Sequence, residues 1–157
     1  MTRQEFPIEQ QLRKDITDAQ RARDQIRLDT LRMALGAIHN LEVARTDRKN
    51  PEYGQPLTEA DTLKVLEMEI KKRNQAIPLY KQGGRTELVQ KEQRELDILQ
   101  AYVQAGQMSD DEIRTIVGQL VAEHGNEFRK VMPLASKETR GRADGKRVNT
   151  IVREMTQ

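Results

Sequence analysis

The sequence predicts an all-α protein: an N-terminal helical bundle followed by a small three-helix C-terminal domain. Three observations point there. Apolar residues recur every three or four positions along most of the chain, which places them on one face of a helix, and no segment alternates convincingly at two. Aromatics make up 3% of the 157 residues, with no Trp, and the β-branched residues stand singly among Glu, Lys, Arg, Gln, Leu and Ala, the helix formers. With 36% hydrophobic and 33% charged residues, only a thin, stripe-like core can be built, and long amphipathic helices suit it.

Ile8, Leu12, Ile16 and Ala19 mark a first helix to about Arg21. Ile26, Leu28, Leu31, Leu35, Ile38 and Leu41 mark a second to about Arg45, with Gly36 a weak point inside it. Residues 46–57 turn polar, with Asn50-Pro51, Gly54 and Pro56, and read as a loop. Thr58 and Asp61 form a capping pair for a third helix carrying Leu63, Leu66, Ile70 and Ile77. Pro78 has no N–H to donate and is expected to kink or end it, with Gly83-Gly84 closing it shortly after. A fourth helix, from about Arg85 to Val103, shows Val89, Leu96, Leu99 and Val103. The pattern breaks near Gly106, and Ser109 with Glu112 gives a second capping box ahead of Ile113, Ile116, Val117, Leu120 and Val121. Gly125 is expected to end that helix and Asn126 to cap a short one with Phe128, Val131 and Met132; Gly141 precedes a last one with Val148, Ile151, Val152 and Met155. The expected domains are 1–104 and 109–157.

Composition excludes several chemistries. There is no Cys, hence no disulfide, thiolate metal site or Cys nucleophile. Of the two serines, Ser109 reads as a helix cap, and Ser136 has Lys137 only as its chain neighbour, so no activated nucleophile for autonomous glutaminase chemistry is expected. His39 and His124 lack zincin spacing, and Gly83-Gly84 lacks the strand of a nucleotide loop, so neither metal nor cofactor is expected. Met1 to Pro7 hold no apolar signal core and the longest apolar stretch, Met33 to Ile38, has six residues; a cytoplasmic protein without a membrane span is expected. Met33, Met68 and Met132 are expected to fill core gaps, and Lys71-Lys72-Arg73, spaced for pairing with Glu67 and Glu69, to form a solvated helix face.

The net charge of +2 conceals an asymmetry. Residues 129–157 carry eight basic side chains against Glu138, Asp144 and Glu154, a net +5, which leaves −3 for the remainder. Such a tail favours a polyanionic partner. Within it, Gly141 can adopt a left-handed turn, Asp144 can cap the last helix, and Gly145 lets a partner's backbone approach the first helical turn. Arg140, Arg142, Lys146 and Arg147 then surround a helix N-terminus, an intrinsic anion site, and Lys137 joins them as a candidate binding residue. Turn and cap chemistry alone would also call for Gly141, Asp144 and Gly145, with the cations left as a solvated rim. The two readings are compatible.

The same segment, Lys130-Val131-Met132 followed by Gly141-Arg142-Ala143-Asp144-Gly145-Lys146, Val148-Asn149 and Val152, resembles the closing motif of the GatB/YqeY family. Arg27-Leu28 with Leu31-Arg32-Met33, Gly84-Arg85 with Leu88-Val89, and Lys91-Glu92-Gln93 with Glu95-Leu96, Ile98-Leu99 and Tyr102 extend the likeness over roughly residues 9 to 157. It is closest to the free-standing bacterial YqeY-like proteins, since the catalytic part of the amidotransferase B subunit is missing. The resemblance implies an all-helical N-terminal part, a three-helix tail domain with Asn149 among its structural residues, and a tRNA-binding accessory role. The associated machinery is the glutamine-dependent tRNA amidotransferase, a carbon-nitrogen ligase with glutamine as amido-N-donor; catalysis by this chain itself is not expected. The alternative is a protein-interaction module docking on an amidotransferase or aminoacyl-tRNA synthetase; neither DNA nor membrane is an expected partner. Phe128 and Tyr102 could stack a base but more easily serve as core. The sequence departs from the family in Val103 to Met108, one residue longer and without Pro, and in having Pro133 and no Pro near Lys137. A looser hinge and a differently broken helix between Asn126 and Lys137 are the expected results.

Overall fold

The computed structural model of the protein describes residues 7–157; Met1 to Phe6, expected to lack a signal core, lie outside the described residues. Seven helices and no strand are present among them: α1 (Pro7–Ala22), α2 (Gln25–Ala44), α3 (Glu59–Gln82), α4 (Thr86–Gly106), α5 (Asp110–His124), α6 (Phe128–Thr139) and α7 (Gly145–Met155). None is long and apolar enough to cross a membrane. The fold is all-α, and the chain divides into two compact units, one reaching Ala105 and the other Gly106–Gln157.

In the first unit, Pro7 opens α1 at a position where its missing N–H costs nothing. The Asp24 carboxylate caps α2 by accepting the Arg27 amide at 3.2 Å. At α3 the capping box closes both ways: Asp61 N–H donates to the Thr58 hydroxyl at 3.2 Å, and Thr58 N–H to the Asp61 carboxylate at 2.8 Å. α3 runs through Pro78, so of the two effects expected there the ending does not occur, and the helix closes at Gly83-Gly84 as expected, with Gln82 its last residue. Pro78 removes one amide that would have met the Asn74 carbonyl, and both residues are exposed, where water replaces that bond. The stop is a Schellman turn: Gly84 (φ +68°) sends its N–H to Lys81 and Arg85 sends its own to Tyr80. α4 overruns its expected end at Val103 and continues to Gly106.

The core of this unit is thin. Leu12, Leu31, Ala34, Ile38, Leu63, Leu66 and Leu99 are fully buried, with Ile8, Leu57 and Tyr102 almost so. Each such large side chain contributes about 1.5–3 kcal/mol relative to exposure. Polar ties supplement them. Arg73, expected on a solvated face, is 5% exposed: its Nε donates to Glu95 at 3.0 Å and its Nη1 to the Glu69 carboxylate at 3.1 Å and the Glu69 carbonyl at 2.8 Å. The face is solvated at Lys71 and Lys72, with Lys72 bridging back to Glu69 at 2.7 Å. Periodicity places 73 with 66 and 77 on the inward stripe, which local charge pairing does not reveal. Arg45 is similarly buried, donating to the Pro56 carbonyl at 2.8 Å and meeting Glu52 at 2.9 Å and Asp61 at 3.0 Å. It pins the polar loop, whose Gly54 amide returns to the Arg45 carbonyl at 2.9 Å. Tyr102 lies between α1 and α2, its hydroxyl donating to Asp15 and accepting from Arg27 at 3.2 Å. Burial and the Asp15 carboxylate push its phenol well above the ordinary range. Met33 and Met68 are not core fillers: they are 40% and 54% exposed, because the stripes they border are already filled by Leu and Ile.

The second unit is a three-helix cluster around Ile113, Val117, Val131, Ala135, Val148 and Val152, with Met108, Met132 and Phe128 packed at its margins. Ser109 and Glu112 cap α5 reciprocally, at 3.2 and 2.7 Å. Asn126 does not cap α6: the N-cap is Glu127, without a side-chain bond, and the Asn126 carbonyl instead accepts the Gln157 amide at 2.8 Å. Nor does Pro133 break α6, which is continuous because the helix buries Val131 and Ala135 on either side of it while Pro133 itself faces solvent.

Two predictions follow from the polar ties. Arg73→Met is expected to cost about 1–3 kcal/mol in urea denaturation, since it strips Glu69 and Glu95 of their buried cation and leaves them only the exposed Lys72 and Lys91. Adding Glu69→Gln and Glu95→Gln should recover most of that, and a single-variant loss below about 1 kcal/mol would mean that water serves the carboxylates. The second concerns acid. Burial alone would raise Asp61 and Glu69, but hydrogen bonds from Thr58 and Arg45 to the first, and from Lys72 and Arg73 to the second, hold both below the ordinary carboxylate range. Folded values below unfolded ones stabilise fully above the unfolded value, about 4, and lose that contribution as pH falls through the folded value. The thermal midpoint should therefore hold from about pH 7 to about pH 5 and fall below about pH 4; a midpoint rising on acidification would contradict this.

Candidate nucleic-acid interface

The basic segment between α6 and α7 is a chain of defined turns. α6 closes with the Thr139 hydroxyl bonded to the Ala135 carbonyl at 2.8 Å. A type II turn follows, with Arg140 at φ −54°, ψ 128°, Gly141 at φ +78°, and the Arg142 amide returning to the Thr139 carbonyl at 3.0 Å. The positive φ explains Gly141 without reference to any ligand. Asp144 is the N-cap of α7, accepting the Lys146 amide at 2.8 Å. Gly145 is different: its φ is not positive, and a Cβ there would meet nothing within 4 Å. Neither backbone geometry nor packing requires a glycine at 145, so its effect is to leave the first turn of α7 bare.

The five cations assigned to this region have unlike surroundings. Arg142 is half-buried and works inward: its carbonyl accepts the Met108 amide at 2.7 Å and its Nε donates to the Gly106 carbonyl at 3.3 Å. Its charge, with the Ser109 hydrogen bonds that dominate, holds the exposed Glu112 carboxyl below its ordinary value. Arg147 joins the same clamp, donating to the Met108 carbonyl at 3.0 Å and to Asp110 at 2.6 Å. The side chains of Lys137, Arg140 and Lys146 are exposed and carry no hydrogen bond or ion pair to any described residue. All three flank the Gly141 turn in sequence, and Lys146 also borders a groove of about 240 Å³ between α5 and α7, lined by Asp110, Arg114, Arg147, Thr150 and Glu154. Arg114 there pairs with Glu154 at 2.9 Å. Arg129 was missed by sequence reasoning: exposed and unpaired among the described residues, it shares the open face of α6 with Pro133 and Lys137, at a four-residue spacing that the sequence does display.

Asn149 accepts Arg153 Nε at 2.8 Å, and the Arg153 guanidinium lies 5.0 Å from the Phe128 ring centroid. That cation–π contact occupies one face of the ring a base would stack on. Tyr102 is buried in the first unit. His39 and His124 are exposed beside Glu42 and Glu123, and among the described residues no three His, Cys, Asp or Glu side chains converge as a metal set.

Asp144→Ala is expected to cost about 1 kcal/mol of thermal stability through the lost cap, and Arg142→Gln a similar amount through the released Gly106 carbonyl. Lys146→Gln should stay within about 0.5 kcal/mol. Equal losses at 142 and 146 in a melting series would contradict the division between inward and outward cations.

Residues 9–156 match the sequence profile of the family described as Yqey-like protein. The chain is also similar to "Altered inheritance of mitochondria protein 41, mitochondrial" of Eremothecium gossypii, 31% identical over 94 residues, which is 60% of this chain and 48% of that protein. The chain therefore spans about half the length of that curated relative. With the profile matched over nearly its whole length, the chain belongs to the Yqey-like protein family.

Proposed function

We propose that this protein is a tRNA-binding accessory of glutamine-dependent tRNA amidotransferase machinery in the bacterial cytoplasm, without catalysis of its own. The observation that carries the reading is the set of three exposed cations without an ion pair among the described residues, Lys137, Arg140 and Lys146, around a turn whose next helix begins on an open glycine. Arg129 extends the set along α6. Phosphates would meet these side chains and the bare first turn of α7, where amide donors and the helix dipole favour an anion. Shape supplies most of the recognition, as is common for structured RNA, because no exposed aromatic platform accompanies the cations. Family membership supports the link to amidotransferase machinery by association, and function resides in sites rather than in folds.

The triple variant Lys137→Gln, Arg140→Gln, Lys146→Gln tests this. It should keep its helical content and melting temperature, while the log–log salt slope of tRNA association falls by roughly two to three units, at about 0.7–0.9 per phosphate released. A parent-like slope and affinity would make the turn purely structural and favour the protein-docking module instead.

A further inference from the structure

Outside the C-terminal unit, charge is segregated along one element. Arg73 on α3 reaches Glu95 on α4 across the Gly83-Gly84 turn, so the two helices run antiparallel as a hairpin. Residues 71–94, its distal half, carry seven basic side chains (Arg73 among them) against Glu87 and Glu92, a net +5, leaving −8 for residues 1–70 and 95–128 together. Arg73 is buried and neutralised by Glu69 and Glu95. Lys72 and Lys91 have carboxylate partners at 2.7 and 3.8 Å. Lys71, Lys81, Arg85 and Arg94 are exposed with no ion pair among the described residues. Every residue from Lys81 to Glu87 is exposed, and a shallow cleft of about 430 Å³ opens at the turn beside Arg85. Leu79, one turn before the tip, is 66% exposed, the most exposed large apolar side chain described.

We propose that the distal half of the α3–α4 hairpin is a second RNA-contacting surface, an arm whose Lys71, Lys81, Arg85 and Arg94 meet the phosphates of a structured RNA. The identity of the polyanion rests on the tRNA-binding reading; the arm itself rests on the charge segregation. A helix face whose cations serve only solubility is normally interleaved with carboxylates at i+3 and i+4, as Lys64, the one cation of the proximal part, is with Asp61 and Glu67. Here no carboxylate lies between Lys71 and Lys81, about 15 Å of α3 at 1.5 Å per residue, and Lys71 forms no ion pair with Glu67 one turn before it. Cations left without carboxylates favour a counter-charged partner. Leu79 fits the same partner, since the wide, shallow minor groove of an RNA helix presents ribose surface to a protruding apolar side chain.

The test compares the full-length parent with the quadruple variant Lys71→Gln, Lys81→Gln, Arg85→Gln, Arg94→Gln and with the Lys137/Arg140/Lys146 triple variant, titrating a tRNA transcript over a salt series. The hairpin variant should keep the parent's helical signal, lose at least about tenfold in affinity near 0.1 M salt, and lower the salt slope by about three units. Lys81→Gln with Arg85→Gln alone, confined to the turn, should give about half that change and guards against a folding defect in the larger variant. If the hairpin variant binds as the parent does while the triple variant is weakened, the arm is overturned and the C-terminal site stands. If only the hairpin variant is weakened, the arm stands and the C-terminal reading falls; if neither is weakened, both fall. Loss of binding to phosphatidylserine-containing vesicles with tRNA binding intact would overturn the arm in favour of a lipid surface.

Discussion

Scarcity of apolar side chains is the constraint under which the rest of this molecule is arranged. With 36% hydrophobic residues, the first unit can fill only a narrow seam with Leu and Ile, and the spaces at its edges are closed by charged groups. Arg73 between Glu69 and Glu95, Arg45 between Glu52 and Asp61, and Tyr102 between Asp15 and Arg27 are the result. Such ties are weak sources of net stability because desolvation consumes most of the attraction, yet they are intolerant of losing one partner. Their value is positional: a guanidinium with two carboxylates accepts few registers, whereas a leucine stripe can slide.

The helices were largely legible because amphipathic period and capping chemistry are local. Both capping boxes and the Asp24 and Asp144 caps involve residues at most three positions apart, and the left-handed Gly141 follows from the turn it makes. What escaped was everything decided across space. Pro78 and Pro133 are helix breakers by local rule, but each sits on an exposed face of a helix whose opposite face is buried, and the tertiary contacts prevail. Arg73 looked like one of three basic neighbours, and only the position of Glu95, 22 residues away, turns it inward. Arg142 and Arg147 could not be told from Arg140 and Lys146, since the segment they hold, Gly106 to Asp110, lies more than thirty residues upstream.

That division alters how the C-terminal motif is understood. Gly141, Arg142, Asp144, Arg147 and Asn149 all have a conformational or packing reason to be what they are. Lys137, Arg140, Gly145 and Lys146 have none among the described residues, and they stand before and between members of the former group. A single short segment thus builds a scaffold and displays side chains from it, which is efficient in length but makes motif-level deletion uninterpretable. Substitutions must be chosen residue by residue.

The clamp on Gly106 to Asp110 has one more consequence. Because Arg142 and Arg147 bind the very stretch of backbone by which the second unit is reached, the unit contains its own attachment point. Both sides of that clamp lie at or after Gly106, so a gene segment beginning there would encode the clamp entire. A module bounded in that way can be copied from one protein to the end of another without redesign at the junction.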